Sequence, residues 1–425
     1  MAYASTYLLA NRYSWNPLDP NGLPQVAPVS LTYTFLQSLP SYYASAALPA
    51  ARLERYQNSF QAFDTAQASA TLDVLGAFSN VGQITFAETS QSTESVGGLF
   101  QRNLAFGRWF PPLSLDPNGI PEAGHAYFPR MNVPQTMWGD VWISRADTDN
   151  TNPQRGGPGF STLLHEVGHA VGLEHSATTG VPITEDSELY TVMSENPDQN
   201  GHQIKPGAHA VTPMLYDVAA IQRLYGANTA YRSQNDTYVF ANTASPYGNP
   251  APDTVLMTIW DGGGRDIIDA SLITGQGVLI DLRPGEFSAI GVDRTLYRNI
   301  AIAYGATIED AYAGPDSAII YGNAVDNLLK GGIGNDSLVG GGGNDTLIGG
   351  LGRDVYVRRP GAGHDHRRRR TRHPAAGVRP AHFGAFREER QPICLVGRFY
   401  DRRDYEFATD DLSGCRRNGG GRWFR

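Results

Sequence analysis

Cysteine and lysine are nearly absent from this chain of 425 residues. The two cysteines, Cys394 and Cys415, both lie near its C-terminal end, so everything before them must fold without a disulfide bond. The lysines are Lys205 and Lys330 alone. No run of 18 apolar residues is present, which excludes a hydrophobic transmembrane helix. The N-terminus has no basic region before its short apolar run, and we therefore expect no cleavable secretory signal.

Acidic residues outnumber basic ones in residues 1–357, and the reverse holds in residues 358–425. Residues 358–425 hold 17 of the 34 basic residues but only 8 of the 42 acidic ones, a net charge of +9, which leaves −17 for residues 1–357. An acidic body that is rich in glycine, asparagine and aspartate argues against a nucleic-acid partner and is typical of secreted calcium-binding proteins. The length allows two or three domains, each with its own core.

One stretch reads HEVGHAVGLEHS and carries the pattern HExxHxxGxxH. Its first two histidines, His165 and His169, are four residues apart, so on a helix they share one face and can bind the same metal ion. Gly172 allows the chain to leave the helix, and His175 can then supply a third ligand. Glu166 lies close enough to reach an attacking water without being a ligand. Three protein ligands leave a fourth position open, which indicates a catalytic rather than a structural zinc ion.

The segments around this motif predict an α+β domain over residues 29–228, with a mixed twisted sheet, a long helix and the active-site helix. Alternating β-branched and aromatic residues predict a first strand at 29–35, and apolar residues at helical spacing predict one long helix over 52–78. We expect the active-site helix to start near Phe160. A closing helix has Asp217 near its start, where a carboxylate favours the helix dipole and can hydrogen-bond near the zinc helix. The remaining predicted elements are strands at 83–88, 99–107, 124–129 and 139–144, and the closing helix at 214–228.

Three nonapeptides follow one another from residue 331 and fit the pattern GGxGxDxUx, where U is a large apolar residue. Their glycines permit tight turns, their aspartate and carbonyl oxygens can bind calcium, and their apolar residues can stack into a thin core. The strict spacing of aspartates and apolar residues predicts an all-β parallel β-roll over residues 229–357. A glycine-rich flexible linker would not maintain this spacing. A degenerate repeat at 322–330 and a related segment at 260–271 extend the pattern. The expected calcium ligands are Asp336, Asp345 and Asp354, with Asp326 from the degenerate repeat.

The zinc motif and the calcium repeats together resemble the serralysin family, bacterial secreted proteases of the metzincin clan with RTX repeats, over about residues 25–357. The resemblance implies a zinc endopeptidase that cleaves proteins, with one catalytic zinc ion, several structural calcium ions, and a methionine turn beneath the metal at Met193. It implies that the strand at 124–129 binds the substrate as an exposed sheet edge. It also implies an extracellular monomer, exported by a type I secretion apparatus independently of the Sec route, and a proteinaceous inhibitor as a partner.

Two features depart from the family pattern. Serralysins have a tyrosine two residues after the turn methionine, near the zinc ion, whereas this chain has Glu195 there; Tyr190 lies nearby in the sequence. After Val357 the composition changes abruptly to arginine, proline and histidine. We interpret residues 358–425 as the product of a frameshift that removes or scrambles the C-terminal secretion signal. A genuine basic arm is the rival interpretation.

Two alternative interpretations of the whole chain stay open on the sequence, and the N-terminal segment has an interpretation of its own. A calcium-binding RTX surface or adhesion protein with an impaired protease domain is the alternative function, and Glu195 and the aberrant tail are its basis. Ser176 directly after the third histidine also fits a matrixin-like protease that acquired the repeats. Residues 1–28 form an N-terminal segment that is a candidate short propeptide.

Overall fold

The structure is a computed structural model, and it divides the chain into two compact units, Met1–Arg369 and Arg370–Arg425. It describes residues 8–9, 13–21, 23–45, 50–89, 103–109, 123–129, 135–196, 203–243 and 251–357, and the backbone of three two-residue strands beyond them. The described part of the second unit consists of two short antiparallel strands, Arg416–Arg417 and Trp423–Phe424. The features described below belong to the first unit.

Five strands form a sheet beside the zinc motif. They are β1 (Val29–Phe35), β2 (Ile84–Glu88), β3 (Leu104–Trp109), β4 (Gly124–Ala126) and β5 (Asp140–Ser144). Their spatial order is β2-β1-β3-β5-β4, with parallel pairing everywhere except between β5 and β4, which lies antiparallel at the edge. The strand predicted at 29–35 is confirmed, and the one predicted at 124–129 lies at the sheet edge but is shorter. Of the strand predicted at 99–107, the part before residue 103 lies outside the described residues.

The described residues also form six α-helices. They are α1 (Tyr42–Ser45), α2 (Ala50–Ser59), α3 (Thr65–Val81), α4 (Pro158–Ala170), α5 (Ser176–Thr179) and α6 (Leu215–Tyr225). Short 3-10 turns occur at Gln135–Met137, Thr148–Thr151 and Pro252–Thr254. The apolar face of α3, including the fully buried Val74 and Phe78, packs into the same core as the apolar face of α4. Burying that stripe is what makes α3 stable, because helical propensity alone contributes little.

The apolar periodicity predicts one helix over 52–78, and this prediction is wrong, because the chain breaks between α2 and α3. Asp64 caps α3: its carboxylate accepts a hydrogen bond from the backbone N–H of Gln67 (3.0 Å), and the Gln67 side chain accepts one from the backbone of Asp64 (3.0 Å). Gln61 forms an isolated β-bridge with Arg108 at the end of β3. The capping box and the bridge satisfy backbone groups that a continuous helix would otherwise pair, and they outweigh the periodicity.

Short strands dominate the rest of the first unit. They are β6 (His209–Ala210), β7 (Thr237–Ala241), β8 (Val255–Ile259), β9 (Ile267–Leu272), β10 (Leu279–Asp281), β11 (Phe287–Ser288), β12 (Ile300–Ile302), β13 (Asp310–Ala313), β14 (Ile319–Tyr321), β15 (Leu328–Gly332), β16 (Ser337–Val339), β17 (Thr346–Gly350), β18 (Val355–Val357) and β19 (His364–Asp365). Two all-parallel sheets result, with the orders β10-β14-β16-β18 and β19-β17-β15-β13-β9-β7. Mixed α/β architecture with many parallel strands agrees with the predicted roll.

The register of these sheets follows from the nonapeptides. Leu329 pairs with Leu347, and Leu338 pairs with Tyr356, so each partner lies 18 residues, or two repeats, further along the chain. The three leucines are fully buried between the two sheets. The same spacing extends to β19, where His364 pairs with Thr346, beyond the residue at which the composition changes.

A four-stranded sheet connects the two predicted domains. Its order is β11-β12-β8-β6, and β6 pairs with β8 in parallel although β6 precedes residue 229 and β8 follows it. The strands around the zinc motif and the strands of the roll therefore belong to one continuous core. Among the described residues, no helix has both the length and the apolar character needed to cross a membrane.

Candidate active site

Three histidines converge at the end of α4. His165 and His169 lie one turn apart on this helix, and their ring centres are 4.6 Å apart. The Nε2 atom of His175, which follows the helix, lies 3.1 Å from Nε2 of His165 and 2.9 Å from Nε2 of His169. The structure therefore brings together the three histidines that the sequence singled out.

The outer ring nitrogens of the two helical histidines face backbone carbonyl groups. Nδ1 of His165 lies 2.7 Å from the carbonyl oxygen of Val192, and Nδ1 of His169 lies 2.8 Å from that of Leu173. Because a carbonyl can only accept, each Nδ1 carries the proton and each Nε2 keeps a free lone pair. Burial lowers the pKa of His165 to about 4 and the pKa of His169 well below its usual range, so both rings stay neutral.

This arrangement fits a zinc ion. Neutral imidazole is a preferred zinc ligand, and three nitrogens bound at tetrahedral angles would lie about 3.3 Å from one another. The Nε2 separations of 2.9 and 3.1 Å are close to that value. His165, His169 and His175 are also a group whose ligand atoms all lie within 4.8 Å of one another. Three ligands from one protein leave room for water and substrate.

A glycine makes the third histidine possible. Gly172 has a φ of +108°, a region that residues with a Cβ rarely adopt, and an added Cβ would lie 2.5 Å from the carbonyl oxygen of Tyr13. The backbone N–H of Leu173 then bonds to the carbonyl of Gly168, and the chain turns back toward the helix. Position 172 therefore has both a conformational and a steric requirement for glycine, as the motif suggested.

The turn that contains Met193 lies against α4, the helix that carries His165 and His169. Met193 is fully buried, and a Cβ added to Gly168 would come within 2.5 Å of its sulfur atom. The turn is held by Asp217, whose carboxylate accepts hydrogen bonds from Thr191 Oγ1 (2.6 Å) and from the backbone N–H of Val192 (2.8 Å). Val192 is also the residue whose carbonyl faces His165, so Asp217 supports a ligand through one intermediate residue.

Glu166 meets the edge strand β4. Its side chain is 4% exposed, and a Cβ added to Gly124 would lie 2.8 Å from Cγ and 2.9 Å from Oε1 of Glu166. Only glycine fits at this position without displacing the carboxylate. Gly124 was predicted in the edge strand, but its contact with Glu166 was not. A glycine at the start of a strand was the only feature of the sequence that could have indicated this contact.

One aromatic ring packs against the histidines and a second stacks on it, and neither was identified from the sequence. The ring of Phe128 lies 4.7 Å from that of His169 and 4.4 Å from the ring of Tyr13, with which it stacks. The N-terminal segment thus contacts the site, because Trp15 also donates a hydrogen bond from Nε1 to the carbonyl of Ala170 (3.0 Å). Long-range contacts of this kind leave no pattern in a single sequence.

Glu195 and Tyr190, which lie on either side of Met193 in the sequence, have different surroundings. Oε2 of Glu195 lies 3.4 Å from Nδ1 of His175, and its side chain is 64% exposed. The ring of Tyr190 instead lies 5.4 Å from that of Tyr216 and 4.9 Å from that of Phe287. Tyr190 is therefore part of the packing between the catalytic region and the strands of the roll.

The aspartates of the nonapeptides connect successive turns of the roll. Oδ1 of Asp336 accepts a hydrogen bond from the backbone N–H of Ala318 (2.7 Å), and Oδ1 of Asp345 accepts one from that of Asn327 (3.1 Å). In the same way, Asp354 accepts from Asp336 (3.2 Å) and Asp326 from Asn344 (2.6 Å), each partner being 18 residues away. These four residues are spread along the roll and do not form a single cluster.

A separate carboxylate cluster lies at the start of the roll. One ligand oxygen from each of Asp236, Asp261 and Asp266 lies within 4.8 Å of the others. Burial raises the pKa of Asp266, and the neighbouring carboxylates raise it further. Two buried atoms, Oδ2 of Asp266 and Oδ2 of Asp336, have no hydrogen-bond partner among the described residues. Buried carboxylate oxygens without a donor are the ligands that calcium prefers.

Comparison with known proteins gives a consistent set of relatives. A family model described as Peptidase M10 serralysin C terminal matches residues 227–369. Metalloprotease AprA of Pseudomonas entomophila (strain L48) is 34% identical over 346 residues, which are 77% of this chain and 64% of that protein. Serralysin of Proteus mirabilis is 36% identical over 274 residues, 60% of this chain and 53% of the relative. Serralysin of Photorhabdus luminescens is 32% identical over 343 residues, with shares of 77% and 64%. The chain thus spans less than two thirds of the length of these relatives.

Proposed function

We propose that this chain belongs to the serralysin family and is a secreted zinc-dependent endopeptidase whose C-terminal domain is stabilised by calcium. The observation that carries the proposal is the convergence of the three Nε2 atoms of His165, His169 and His175. The proposed catalytic domain covers residues 29–228 and has a metzincin fold, and the proposed calcium-binding roll covers residues 229–357.

The proposed chemistry divides between the metal and one carboxylate. Zinc, when held by the three histidines, supplies Lewis acidity that acidifies the attacking water and polarises the scissile carbonyl. Glu166 accepts the proton of the attacking water as general base and returns it to the leaving amine. Its burial on α4 against β4 supports this role, since a carboxylate held in place by packing needs no rearrangement during the reaction. Met193 supports the histidines from below and takes no part in proton transfer.

The proposed substrate is an extended stretch of a protein chain. As the edge strand of the sheet, β4 can pair through its outer backbone groups with such a stretch. Gly124 supports this arrangement because its missing side chain allows β4 and Glu166 to come together. A peptide bound along β4 would therefore pass close to both the general base and the three histidines.

Calcium is proposed to bind between the turns of the roll. Support comes from the donor-free Oδ2 atoms of Asp336 and Asp266 and from the carboxylate cluster that includes Asp261. Asp345 and Asp354 are proposed as further ligands because they occupy the same repeat position as Asp336, 9 and 18 residues further along the chain. Asp326, one position earlier in its degenerate repeat, is proposed because it also bonds to the turn 18 residues away. Hard oxygen ligands from successive turns would connect those turns and neutralise their charge.

Export and partners are proposals that rest on family membership. We expect an extracellular monomer, release through a type I secretion apparatus, and inhibition by a small protein. The frameshift interpretation of residues 358–425 is retained as a proposal as well. Mass spectrometry of the native secreted protein tests it, because peptides that match RRRRTRHPAAG would show that the tail is translated as written.

The central test is hydrolysis of casein by the purified chain, with zinc content measured in the same samples. Replacing the general base in Glu166→Ala is expected to lower kcat by about 100- to 10 000-fold while zinc content stays unchanged. Asp149→Asn is the matched control, because it also removes a carboxylate of the catalytic domain but an exposed one before α4. Retention of activity in Glu166→Ala would refute the mechanism. A wild-type chain that holds zinc yet cleaves nothing would instead support the impaired RTX binding protein.

A further inference from the structure

We propose that Glu195 is a positioning residue for zinc binding, which accepts a hydrogen bond from the outer nitrogen of His175 and so directs Nε2 of that ring toward the metal. This inference rests on the proposed function, because it assumes that the three histidines bind zinc. The observation behind it is the distance of 3.4 Å between Nδ1 of His175 and Oε2 of Glu195.

The three histidines use different partners for their outer nitrogens. His165 and His169 each face a backbone carbonyl, at 2.7 and 2.8 Å, and the helix and its following turn hold those carbonyls in place. His175 faces the carboxylate side chain of Glu195 instead. A metal-bound histidine ordinarily donates its second ring N–H to a carbonyl or a carboxylate, so Glu195 completes the set.

The third histidine has the greatest need for such a partner. His165 and His169 are fixed on α4, but His175 lies after the turn at Gly172, at the cap position of the short helix α5. Its ring is not held by a regular helix on its N-terminal side. A negative acceptor at Nδ1 selects the tautomer with the proton on Nδ1 and leaves Nε2 available as a ligand.

A direct ligand role for Glu195 agrees less well with the structure. The compact group of ligand atoms consists of the three histidine nitrogens, and Glu195 is not a member of that group among the described residues. A carboxylate bound to the metal would also occupy the position that water and substrate need. The 64% exposure of the Glu195 side chain means that solvent screens its charge, so we expect an effect near the lower end of the usual range.

The test measures zinc affinity by competition with a chelator, and it does not depend on hydrolysis. Glu195→Ala is expected to weaken zinc binding about 10-fold. Glu195→Gln is expected to lose less, because an amide oxygen can still accept the hydrogen bond from Nδ1. Asp149→Asn, which removes an exposed carboxylate that precedes α4, is expected to bind zinc as the wild type does.

Two further measurements identify the reason for any loss. Thermal unfolding of the zinc-free proteins should give the same midpoint for the wild type and both Glu195 variants, because an exposed side chain contributes little to the fold. Cobalt substituted for zinc should give the same absorption bands in Glu195→Ala, since a positioning residue leaves the ligand set unchanged. Altered bands would overturn the proposal in favour of direct coordination, and zinc affinity within twofold of the wild type would overturn it altogether. Failure of the proposed function would be recognised separately, by casein hydrolysis that survives Glu166→Ala.

Discussion

The candidate zinc site and the roll are held together by different kinds of contact, although both belong to one continuous core. At the zinc site each contact occurs once and joins distant parts of the chain: Tyr13 meets Phe128, and Asp217 holds the turn that contains Val192. In the roll the same contact recurs at a fixed spacing, as in the pairing of Leu329 with Leu347. Unique long-range contacts therefore fix the positions of the side chains around the histidines, whereas repeated strand pairing stabilises the roll.

The proposed metal sites of the two regions also differ in their surroundings. The three histidines lie on and next to a helix that is packed in the core on its other faces, so their scaffold has many apolar contacts of its own. In its nonapeptide repeats the roll has a thin core, with one fully buried leucine on each of β15, β16 and β17, and its turns carry buried carboxylates such as Asp336. Burial raises the pKa of Asp336 to about 6, which shows the cost of holding its negative charge there. Zinc bound by the histidines is therefore expected to be needed for activity, and calcium bound in the roll is expected to be needed for folding.

The largest expected effect comes from removing calcium. A bound calcium ion contributes about 2.7 kcal/mol when free calcium is 100 times its dissociation constant, and several sites are proposed in the roll. Calcium removal is therefore expected to unfold the roll, with loss of its β-sheet signal in circular dichroism. Zinc removal should abolish hydrolysis and leave that signal in place.

The comparison requires a chelator series in which each metal is removed and restored separately. Titration of calcium into the fully chelated chain should restore the β-sheet signal without any hydrolysis, and zinc added afterwards should restore activity. If the roll keeps its signal at the lowest calcium concentration, its leucine core is sufficient and the proposed structural role of calcium is wrong.

The sequence predicted the parts of each region that depend on local spacing. The helical positions of His165 and His169 follow from a separation of four residues, and the register of the roll follows from nine-residue repeats. Glycine at position 172 was likewise identified from the motif, and its φ of +108° gives the reason. All these features depend on residues that are close together in the chain.

The features that the sequence did not reveal depend on distant contacts. The pairing of Gln61 with Arg108 beside the break before α3 joins distant residues, and the contact of Gly124 with Glu166 joins a sheet edge to a helix. Glu195 was noticed only as a departure from a family pattern, and its position beside His175 needed coordinates. Such contacts arise when elements pack in three dimensions, so a single sequence holds no periodic signal for them.

A smaller effect is expected from Asp217→Asn, which alters one of the side chains that hold the turn containing Met193. Its Oδ2 accepts hydrogen bonds from the backbone N–H groups of Val192 (2.8 Å) and Met214 (2.7 Å), and its Oδ1 accepts one from Thr191. An amide group cannot accept on both sides, so at least one buried donor loses its partner. We expect a loss of about 1–3 kcal/mol in the free energy of unfolding, measured by urea titration with calcium saturating.

Asp149→Asn is the control for that measurement, because this carboxylate is exposed and its loss should change stability by less than about 0.5 kcal/mol. Zinc affinity should also fall in Asp217→Asn, since Val192 carries the carbonyl that faces His165. Equal stability of the two variants would mean that the turn does not depend on its buried aspartate.

The smallest expected effect concerns the connection between the two regions, at β6. Nδ1 of His209 lies 3.0 Å from Oε2 of Glu188. The other carboxylate oxygen of Glu188, Oε1, accepts a hydrogen bond from Ser161 on α4. The hydrogen bond to Glu188 raises the pKa of His209 above its ordinary value of 6.5, although burial acts in the opposite direction. Burial acts to raise the pKa of Glu188, but the hydrogen bonds from His209, the backbone of Ala210 and Ser161 outweigh it and lower that pKa.

The directions of these shifts set the pH window. His209 contributes stability that is complete below pH 6.5 and disappears as the pH rises through its raised pKa, whereas Glu188 loses its contribution only as the pH falls through its lowered one. From pH 6 to pH 8 the wild type should therefore lose up to about 1 kcal/mol more unfolding free energy than His209→Gln, at constant calcium and zinc. Parallel pH profiles for the two proteins would show that this ion pair does not stabilise the junction, and the two regions would then be joined by strand pairing and apolar contacts alone.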